Sequence, residues 1–338
     1  MKLYGGIDLH SNNSVFNLVD EEGHVVLKKR LRNSLETILD LLDPHRDALA
    51  GLVVESTYNW YWLVDGLMEA GYKVHLANTT AIQQYSGLKH LDDDSNANRL
   101  ANMLRLGILP EGYIYPKEEW MLRDLLRKRL QLVQQKTSNL LSIQGLYDRH
   151  LNKRLSGNKV KQLTEEQLVV DYSDVNVRMA VNGNLIILNC LAEQIGLIER
   201  SLKQRLKLGD EFVNLTSIDG IGLTLALTIM LETGEIARFQ RVGQYASYCR
   251  CVSGARYSNG KRKGKTNSKN GNKYLAWAFV EAANFAIRYN DTVKRYYQRK
   301  LAKTNVIVAR KTVAHKLARA CFYVLRDQVE FDVNKAFG

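Results

Sequence analysis

Asp8 closes the apolar run Gly6-Ile7-Asp8-Leu9-His10, and Glu55 closes Val53-Val54-Glu55-Ser56, so each carboxylate falls at the end of a short strand. A third acidic position comes from Asp92-Asp93-Asp94-Ser95-Asn96, at the start of a helix. Carboxylates gathered at strand ends can converge on divalent cations, because hard Mg²⁺ prefers oxygen ligands. Two such cations about 4 Å apart clamp the attacking and leaving oxygens of phosphoryl transfer. Taken singly, each acid also reads as an edge or cap residue, and acids at a helix N-terminus complement its dipole without binding anything.

The complementary chemistry lies in Arg250–Lys273, RCVSGARYSNGKRKGKTNSKNGNK, which carries eight Lys or Arg and no acid. Rich in Gly, Asn and Ser, it cannot bury a core and is expected as an open basic loop. Extended to Lys316, the segment holds 17 basic residues against Glu281 and Asp291, a surplus of +15, while the whole chain nets +13. The remainder is therefore slightly acidic, and charge so segregated reads as a nucleic-acid footprint, with a solvated basic face as the plainer alternative. Arg250, Arg256, Lys261, Arg262, Lys263, Lys265, Lys269 and Lys273 are the candidate backbone contacts. Ser258, followed by Asn259-Gly260, is a small hydroxyl among cations: a turn residue on its chemistry alone, a nucleophile if assisted by a base, a metal or that cationic setting.

These side chains need elements to hold them. Leu3–Leu9 and Val15–Val19 read as strands, Glu21-Glu22-Gly23 as a hairpin turn and residues 24–31 as a third strand. Leu35–Leu42 is a short amphipathic helix, Leu52–Glu55 a buried strand, Tyr58–Ala70 helical, and Tyr72–Ala77 again strand. Three meandering strands followed by strand-helix units is the order of a ribonuclease-H-like α/β domain, here 1–116. Thr80–Leu106 returns to helix, with a stop at Gly107. All three prolines precede Lys117, which marks a change to helical architecture.

Glu118–Arg149 and Val175–Leu208 are expected as two long helices separated by a basic break at 153–161. They form a coiled-coil arm, residues 117–210, whose apolar stripe suits either a partner or packing within one chain. In 211–338, the Gly220-Ile221-Gly222 turn between apolar segments resembles a helix-hairpin-helix, whose backbone N–H groups approach a phosphate. Lys273–Tyr289, with Tyr274, Trp277 and Phe285, and Asn305–Arg326 are further helices, their aromatics read as core more readily than as base-stacking platforms.

At 338 residues there is length for two or three domains. The sequence has no uninterrupted run of about 18 apolar residues and no basic-then-apolar leader, so a cytoplasmic protein without a membrane partner is expected. Cys190, Cys249, Cys251 and Cys321 are too few and too irregular for a disulfide framework. The Cys249/Cys251 pair lacks the second pair or nearby His that zinc requires, and the four read as reduced, half-buried residues.

Several blocks in one order resemble the DEDD transposases of insertion sequences, the group numbered one hundred and ten, which also includes the Piv-type DNA invertases. They are GIDLH at 6–10, VVESTYNWYW at 53–62, QQYSGLKH at 83–90, LANMLRLGILPEGYIYPKE at 100–118, SIDGIG at 217–222, YASYCRC at 245–251 and SNGKRKGKTNSKNGNKYLAWAFVEAANFAIRY at 258–289. The ILPEGYIYP and SNG…KNGN blocks point to the eleven-eleven branch. The resemblance implies a RuvC-like domain, a coiled-coil arm and a mostly helical C-terminal transposase domain with a catalytic serine. It also implies Mg²⁺ or Mn²⁺, donor and target DNA, a structured bridge RNA as guide, and a homo-oligomer from dimer to tetramer.

Carried over by position, Asp8, Glu55 and Asp93 are the first three acids, and Ser258 is the serine that forms a phosphoserine intermediate. The fourth acid falls on Asn96, which keeps a carbonyl oxygen for a metal but no negative charge. A decayed copy, a deliberate substitution and rescue by Asp92 or Asp94 are all compatible with it. Asn78-Thr79, where relatives have Asn-Pro, is a smaller departure. Two rivals remain: a metal-dependent nuclease or junction resolvase without covalent catalysis, and a non-catalytic nucleic-acid-binding derivative.

Overall fold

A computed structural model describes residues 1–82, 93–205, 209–252, 254–265 and 269–338, the side chains at 93–95, 205, 255–257, 262 and 265 excepted. The chain divides into two compact units, Met1–Lys117 and Glu118–Gly338.

The first unit is built on a five-stranded sheet: β1 (Leu3–Leu9), β2 (Asn13–Val19), β3 (Val25–Arg32), β4 (Leu49–Glu55) and β5 (Val74–Ala77). The order across it is β3-β2-β1-β4-β5. β1 to β3 form an antiparallel meander, whereas β4 runs parallel to β1 and β5 parallel to β4. Side chains alternate between faces, so Ile7, Leu9, Phe16, Leu18, Leu52 and Val54 share one side. They pack against α1 (Leu35–Leu42) and α2 (Tyr61–Glu69) through Ile38, Leu42, Leu63, Val64 and Leu67. Each such leucine or isoleucine removed from water stabilises by roughly 1.5–3 kcal/mol. Ser34 fixes where α1 begins, its hydroxyl accepting from the Thr37 N–H.

The opposite face carries Gly6, Asp8, Val53 and Glu55. After α3 (Thr79–Ile82), α4 (Asp93–Arg105) lies across that face, with Leu100 and Met103 on Val53 and Ala77. The approach is close enough that a β-carbon on Gly6 would stand 1.9 Å from the Ala97 carbonyl oxygen and 2.7 Å from the Ala101 nitrogen. Both obstacles are backbone, so no rotamer relieves them. Glycine at this position is what lets α4 deliver its N-terminal turn beside Asp8.

In the second unit, α5 (Lys117–Leu151) and α8 (Val175–Arg205) are long helices. Between them come α6 (Gly157–Val160) and α7 (Glu165–Asp171). Ile143 and Tyr147 of α5 share a core with Val160, Leu168, Tyr172 and, from α8, Val181, Leu185 and Leu188. Arg129 on α5 holds Glu199 on α8 through two bonds of 2.9 and 2.6 Å. By length and composition Val175–Gln204 is apolar enough to cross a membrane, although Asn182, Asn184, Glu193 and Glu199 interrupt it.

The rest of the unit is mostly helical: α9 (Asp210–Thr216), α10 (Leu223–Thr233) and α11 (Val242–Tyr248) precede α12 (Lys273–Tyr289), α13 (Asp291–Leu301), α14 (Val306–Asp327) and α15 (Val333–Phe337). Their core gathers Ile229, Tyr245, Phe279, Ala282, Leu317 and Phe322. The run of alanines on α12 permits near contact with α14.

Several expectations need correction. Of the helical stretch expected over Thr80–Leu106, α3 and α4 are described and 83–92 lie outside the described residues. The basic break at 153–161 contains α6, started by the Ser156 hydroxyl. The expected open loop within 250–273 instead contains an antiparallel hairpin, β6 (Ala255–Ser258) and β7 (Lys261–Lys265). Cys249 and Cys321 are fully buried and Cys190 exposed; only Cys251 is half-buried. α13, too polar in composition to stand out, packs on the core through Val293.

Glycine positions differ sharply in what they tolerate. Gly6→Ala is expected to destabilise the full chain by about 1–3 kcal/mol or more through forced displacement of α4. By contrast, Gly145 lies within α5, and a methyl group added there would meet nothing within 4 Å. Gly145→Ala should stabilise by up to about 1 kcal/mol through helix propensity. Urea midpoints of the two variants, moving in opposite directions from the parent, check both.

Candidate active site and nucleic-acid interface

The pairing of Gly6 with Val53 and Ile7 with Val54 brings the ends of β1 and β4 together, so Asp8 and Glu55 emerge side by side. Asp8 is only 2% exposed, and its Oδ2 is buried without a hydrogen-bond partner among the described residues. His10 Nε2 stands 3.8 Å from that oxygen. Burial pushes the Glu55 carboxyl up from 4.5 to about 7, helped by its hydrogen bond to Asp8 and that residue's charge, while Arg99 pulls the other way. Two carboxylates forced together out of water hold a proton between them or call for a cation. An orphaned buried oxygen beside a reluctant acid fits a divalent-metal donor set, and Asp8 and Glu55 are the residues that would hold the ion.

Asn96 is half-buried in the first turns of α4, one residue before the Ala97 that touches Gly6. The backbone of Asp93 opens α4, but its side chain lies outside the described residues, as does Asp92 altogether. The rim is pinned by two amides, one outside every motif and one within the 53–62 block: Asn33 Nδ2 and Asn59 Nδ2 donate to the His10 carbonyl at 2.9 and 3.4 Å. Of the two, only Asn33 is unmarked by a motif. Arg99 is likewise absent from the motifs. Its spacing of three from Asn96 puts it one turn along the same helical face, which is the signal that could have found it.

Ser258 closes β6 and pairs with Lys261, leaving Asn259-Gly260 as a two-residue turn. Both turn residues have positive φ, 48° and 71°, the geometry for which Asn-Gly is the favoured hairpin sequence. Ser258 and Lys261, directly opposite, share a face of the ribbon, and both are exposed. Arg256 pairs with Gly264 and Tyr257 with Arg262, so Lys263 is the extra residue of a bulge. The hydroxyl thus sits at the tip of a narrow cationic ribbon. Among the basic candidates, Lys261, Lys263, Lys269 and Lys273 are exposed, while the side chains of Arg256, Arg262 and Lys265 are outside the described set.

The base of this excursion is clamped. Arg250, itself at φ 54°, turns inward: its Nε donates to the Gly271 carbonyl at 2.9 Å and its Nη2 to the Lys269 carbonyl. Asn272 starts α12, its Oδ1 accepting from Tyr274 and Leu275 N–H groups, while its Nδ2 donates to Glu232 Oε2 at 2.7 Å. Glu232, 2% exposed, is gripped in turn by Arg127 Nε and Nη2 at 2.6 and 2.8 Å. A bidentate, charge-assisted pair from α5 to α10 therefore fixes where α12, and the end of the basic segment, begins.

Gly220 and Gly222 differ in what they do. Gly220, at φ 98°, is held by packing: a β-carbon there would stand 2.5 Å from the Ala282 carbonyl oxygen of α12. Gly222 has open space around it and precedes α10 without a side-chain cap. Elsewhere, Asp20, Glu22 and His24 at the β2–β3 turn bring ligand atoms within 4.8 Å. Asp20 Oδ1 already caps that turn, accepting from the Glu22 and His24 N–H groups.

Residues 5–151 match a transposase family built on the DEDD domain of IS110 elements, and residues 213–298 match the family described as Transposase IS116/IS110/IS902. The transposase of insertion sequence element IS1111A from Coxiella burnetii is 24% identical over 306 residues, covering 86% of this chain and 80% of that protein. These matches are to transposases, enzymes that process DNA. Both matched segments, one in each half of the chain, are similar to the IS110/IS116 transposase family.

Two outcomes follow from these contacts. The folded chain retains a proton on Glu55 that the unfolded chain has lost between pH 4.5 and about 7, so this group's contribution to stability falls as pH rises through that window. Glu55→Gln should match the parent's stability near pH 4 and exceed it near pH 8 in metal-free urea titrations. Arg127→Met strands a buried carboxylate and should cost about 3–5 kcal/mol, most of it recovered in an Arg127→Met/Glu232→Leu double variant; thermal melts of the three chains test this.

Proposed function

We propose that the chain cuts and rejoins DNA by attack of Ser258 on a phosphodiester, directed by a structured bridge RNA and passing through a Holliday-type junction. In this reading residues 1–116 are a RuvC-like ribonuclease-H domain, 117–210 the arm, and 211–338 the transposase domain. The strand order β3-β2-β1-β4-β5, with acids at the ends of β1 and β4, supports the first assignment. The observation that carries the proposal is the exposed Ser258 beside Lys261 at the tip of the cationic hairpin. A hydroxyl so placed reaches a phosphate without desolvating anything else.

In the step itself, Ser258 Oγ bonds to phosphorus and loses its proton, while the bond from phosphorus to a sugar oxygen breaks and that oxygen leaves as a hydroxyl. Lys261 and Lys263 hold the phosphate's charge, a contribution independent of base sequence. A divalent cation, when bound by Asp8, Glu55, Asp93 and the Asn96 carbonyl, supplies charge neutralisation at the reacting oxygens. Glu55 must surrender its proton to serve as such a ligand, so metal binding releases protons below pH 7. Pairing with the RNA supplies specificity, the protein reading mostly shape. Assembly as a dimer or tetramer allows the serine of one subunit to meet the acids of another.

Asn96 favours one other reading, a nucleic-acid-binding derivative in which weaker metal binding has silenced cleavage. Incubation of the parent, Asn96→Asp and Ser258→Ala chains with element-flank RNA, donor DNA and Mg²⁺ separates them. A protein–DNA adduct on a denaturing gel is expected for the parent or, if Asn96 is disabling, for Asn96→Asp alone, and is abolished by Ser258→Ala. Cleavage without any adduct, surviving Ser258→Ala, would identify a nuclease without covalent catalysis.

A further inference from the structure

An open cleft of about 620 Å³ separates α5 from the first turn of α12. One wall is α5, carrying Asp124, Arg127, Lys128, Gln131 and Gln134; the other carries Lys273, Tyr274 and Trp277. We propose that this cleft binds an unpaired stretch of nucleic acid, with a base against Tyr274 or Trp277 and flanking phosphates between Lys128 and Lys273. The ligand class rests on the nucleic-acid reading above, but the cleft owes nothing to the acids or to Ser258.

The charge arrangement selects an anion. Arg127 is committed to Glu232 by two short bonds and to Asp124 at 3.6 Å, so it contributes little free charge. Its guanidinium lies 4.5 Å from the centre of the Tyr274 ring and so holds that ring in place. Lys128 donates to Gln131 Oε1 at 3.1 Å, and Lys273 lies 5.0 Å from the Tyr274 ring centre. Among the described residues no carboxylate stands within ion-pair distance of either lysine. The one acid in the lining, Asp124, is engaged by Arg127, which leaves Lys128 and Lys273 as the cations of the opening.

The remaining chemistry selects a base. Tyr274 and Trp277 are half-buried, with ring surface still facing the cleft, whereas Phe279 on the same helix is fully enclosed. The amides of Gln131 and Gln134 offer both donors and acceptors to a base edge. The volume falls within the roughly 300–1,000 Å³ of ligand sites. Stacking on aromatics beside a cationic track is how single strands are held, since every base has a π-face. A duplex presents its bases paired and stacked, so it offers these rings nothing. Lys273 belongs both to the basic segment and to the cleft wall.

The test uses the full chain and fluorescein-labelled 12-nucleotide oligo-dT and oligo-U, with a 12-base-pair duplex for comparison, followed by anisotropy across salt concentration. Lys128→Glu/Lys273→Glu, on two exposed side chains, is expected to weaken single-strand binding about 10-fold or more and to reduce the salt slope by about 1.4, two phosphates at 0.7 each. Duplex binding should change less. Photo-crosslinking with 5-iodouracil oligonucleotides should then label Tyr274 or Trp277, as read by mass spectrometry. Whether oligo-dT or oligo-U binds tighter assigns the site to DNA or RNA. Single-strand affinity within twofold of the parent in the double variant, or crosslinks confined to other segments, overturns the proposal, as does preferential filling by an acidic peptide. Ser258→Ala should leave this binding intact while abolishing any adduct, so the cleft and the serine mechanism fail separately.

Discussion

Between β1 and α4 there is room for a hydrogen atom and nothing larger at Gly6, and the acidic site depends on that contact. Because the obstacles are the backbone of Ala97 and Ala101, helix position is set by main-chain contact, which is stiffer than contact between side chains. Gly6 and Asp8 lie two residues apart on one strand and so face the same way. The helix that packs on the first is carried over the second. Asp8 is thereby buried, and Glu55, drawn beside it by the parallel pairing of β4, becomes an acid with a pKa of about 7. Stability has been spent in this corner: two like-charged groups are kept together where water cannot separate them.

The C-terminal unit solves a different problem, how to present a segment with no apolar residues to spare. It does so by fixing both ends. Arg250 is turned back onto the carbonyls of Lys269 and Gly271, and Asn272 is bonded at once to Glu232 and to the first turn of α12. Between these anchors the Asn-Gly turn folds a short ribbon that needs no core. Rigid footing and an exposed tip are the combination expected of a part that must reach into a polyanion.

How much of this is written in the sequence depends on which force decides each feature. Short apolar runs of strand length give β1, β2 and β4 away, strands buried along most of their length, and 3.6-residue periodicity does the same for α5, α8 and α12, because those patterns are one-dimensional. The strand-end positions of Asp8 and Glu55 are legible for the same reason. The hairpin escapes a sequence reading although Asn259-Gly260 is a strong turn signal, since eight cations in the surrounding stretch suggest an unstructured loop. Gly6 and Gly220 look alike in sequence to Gly145 and Gly222; only the helix passing behind the first two distinguishes them. Arg250 reads as a phosphate contact, yet its guanidinium is occupied by backbone carbonyls, and no local pattern announces partners some twenty residues away. Arg127 and Glu232 go unmarked for the same reason, and Asn272, though it ends the KNGN block, gives no sign of its partners there.

That last trio has a bearing on ancestry. Its members come from α5, from α10 and from the residue before α12, three stretches far apart along the chain, yet they share one buried charge. Loss of Arg127 leaves the buried Glu232 carboxylate without its bidentate partner, whereas joint replacement of the pair by apolar residues need cost little. Descendants of this chain should therefore inherit Arg127 and Glu232 together or abandon them together, and a graft carrying α5 without its matching α10 would separate them.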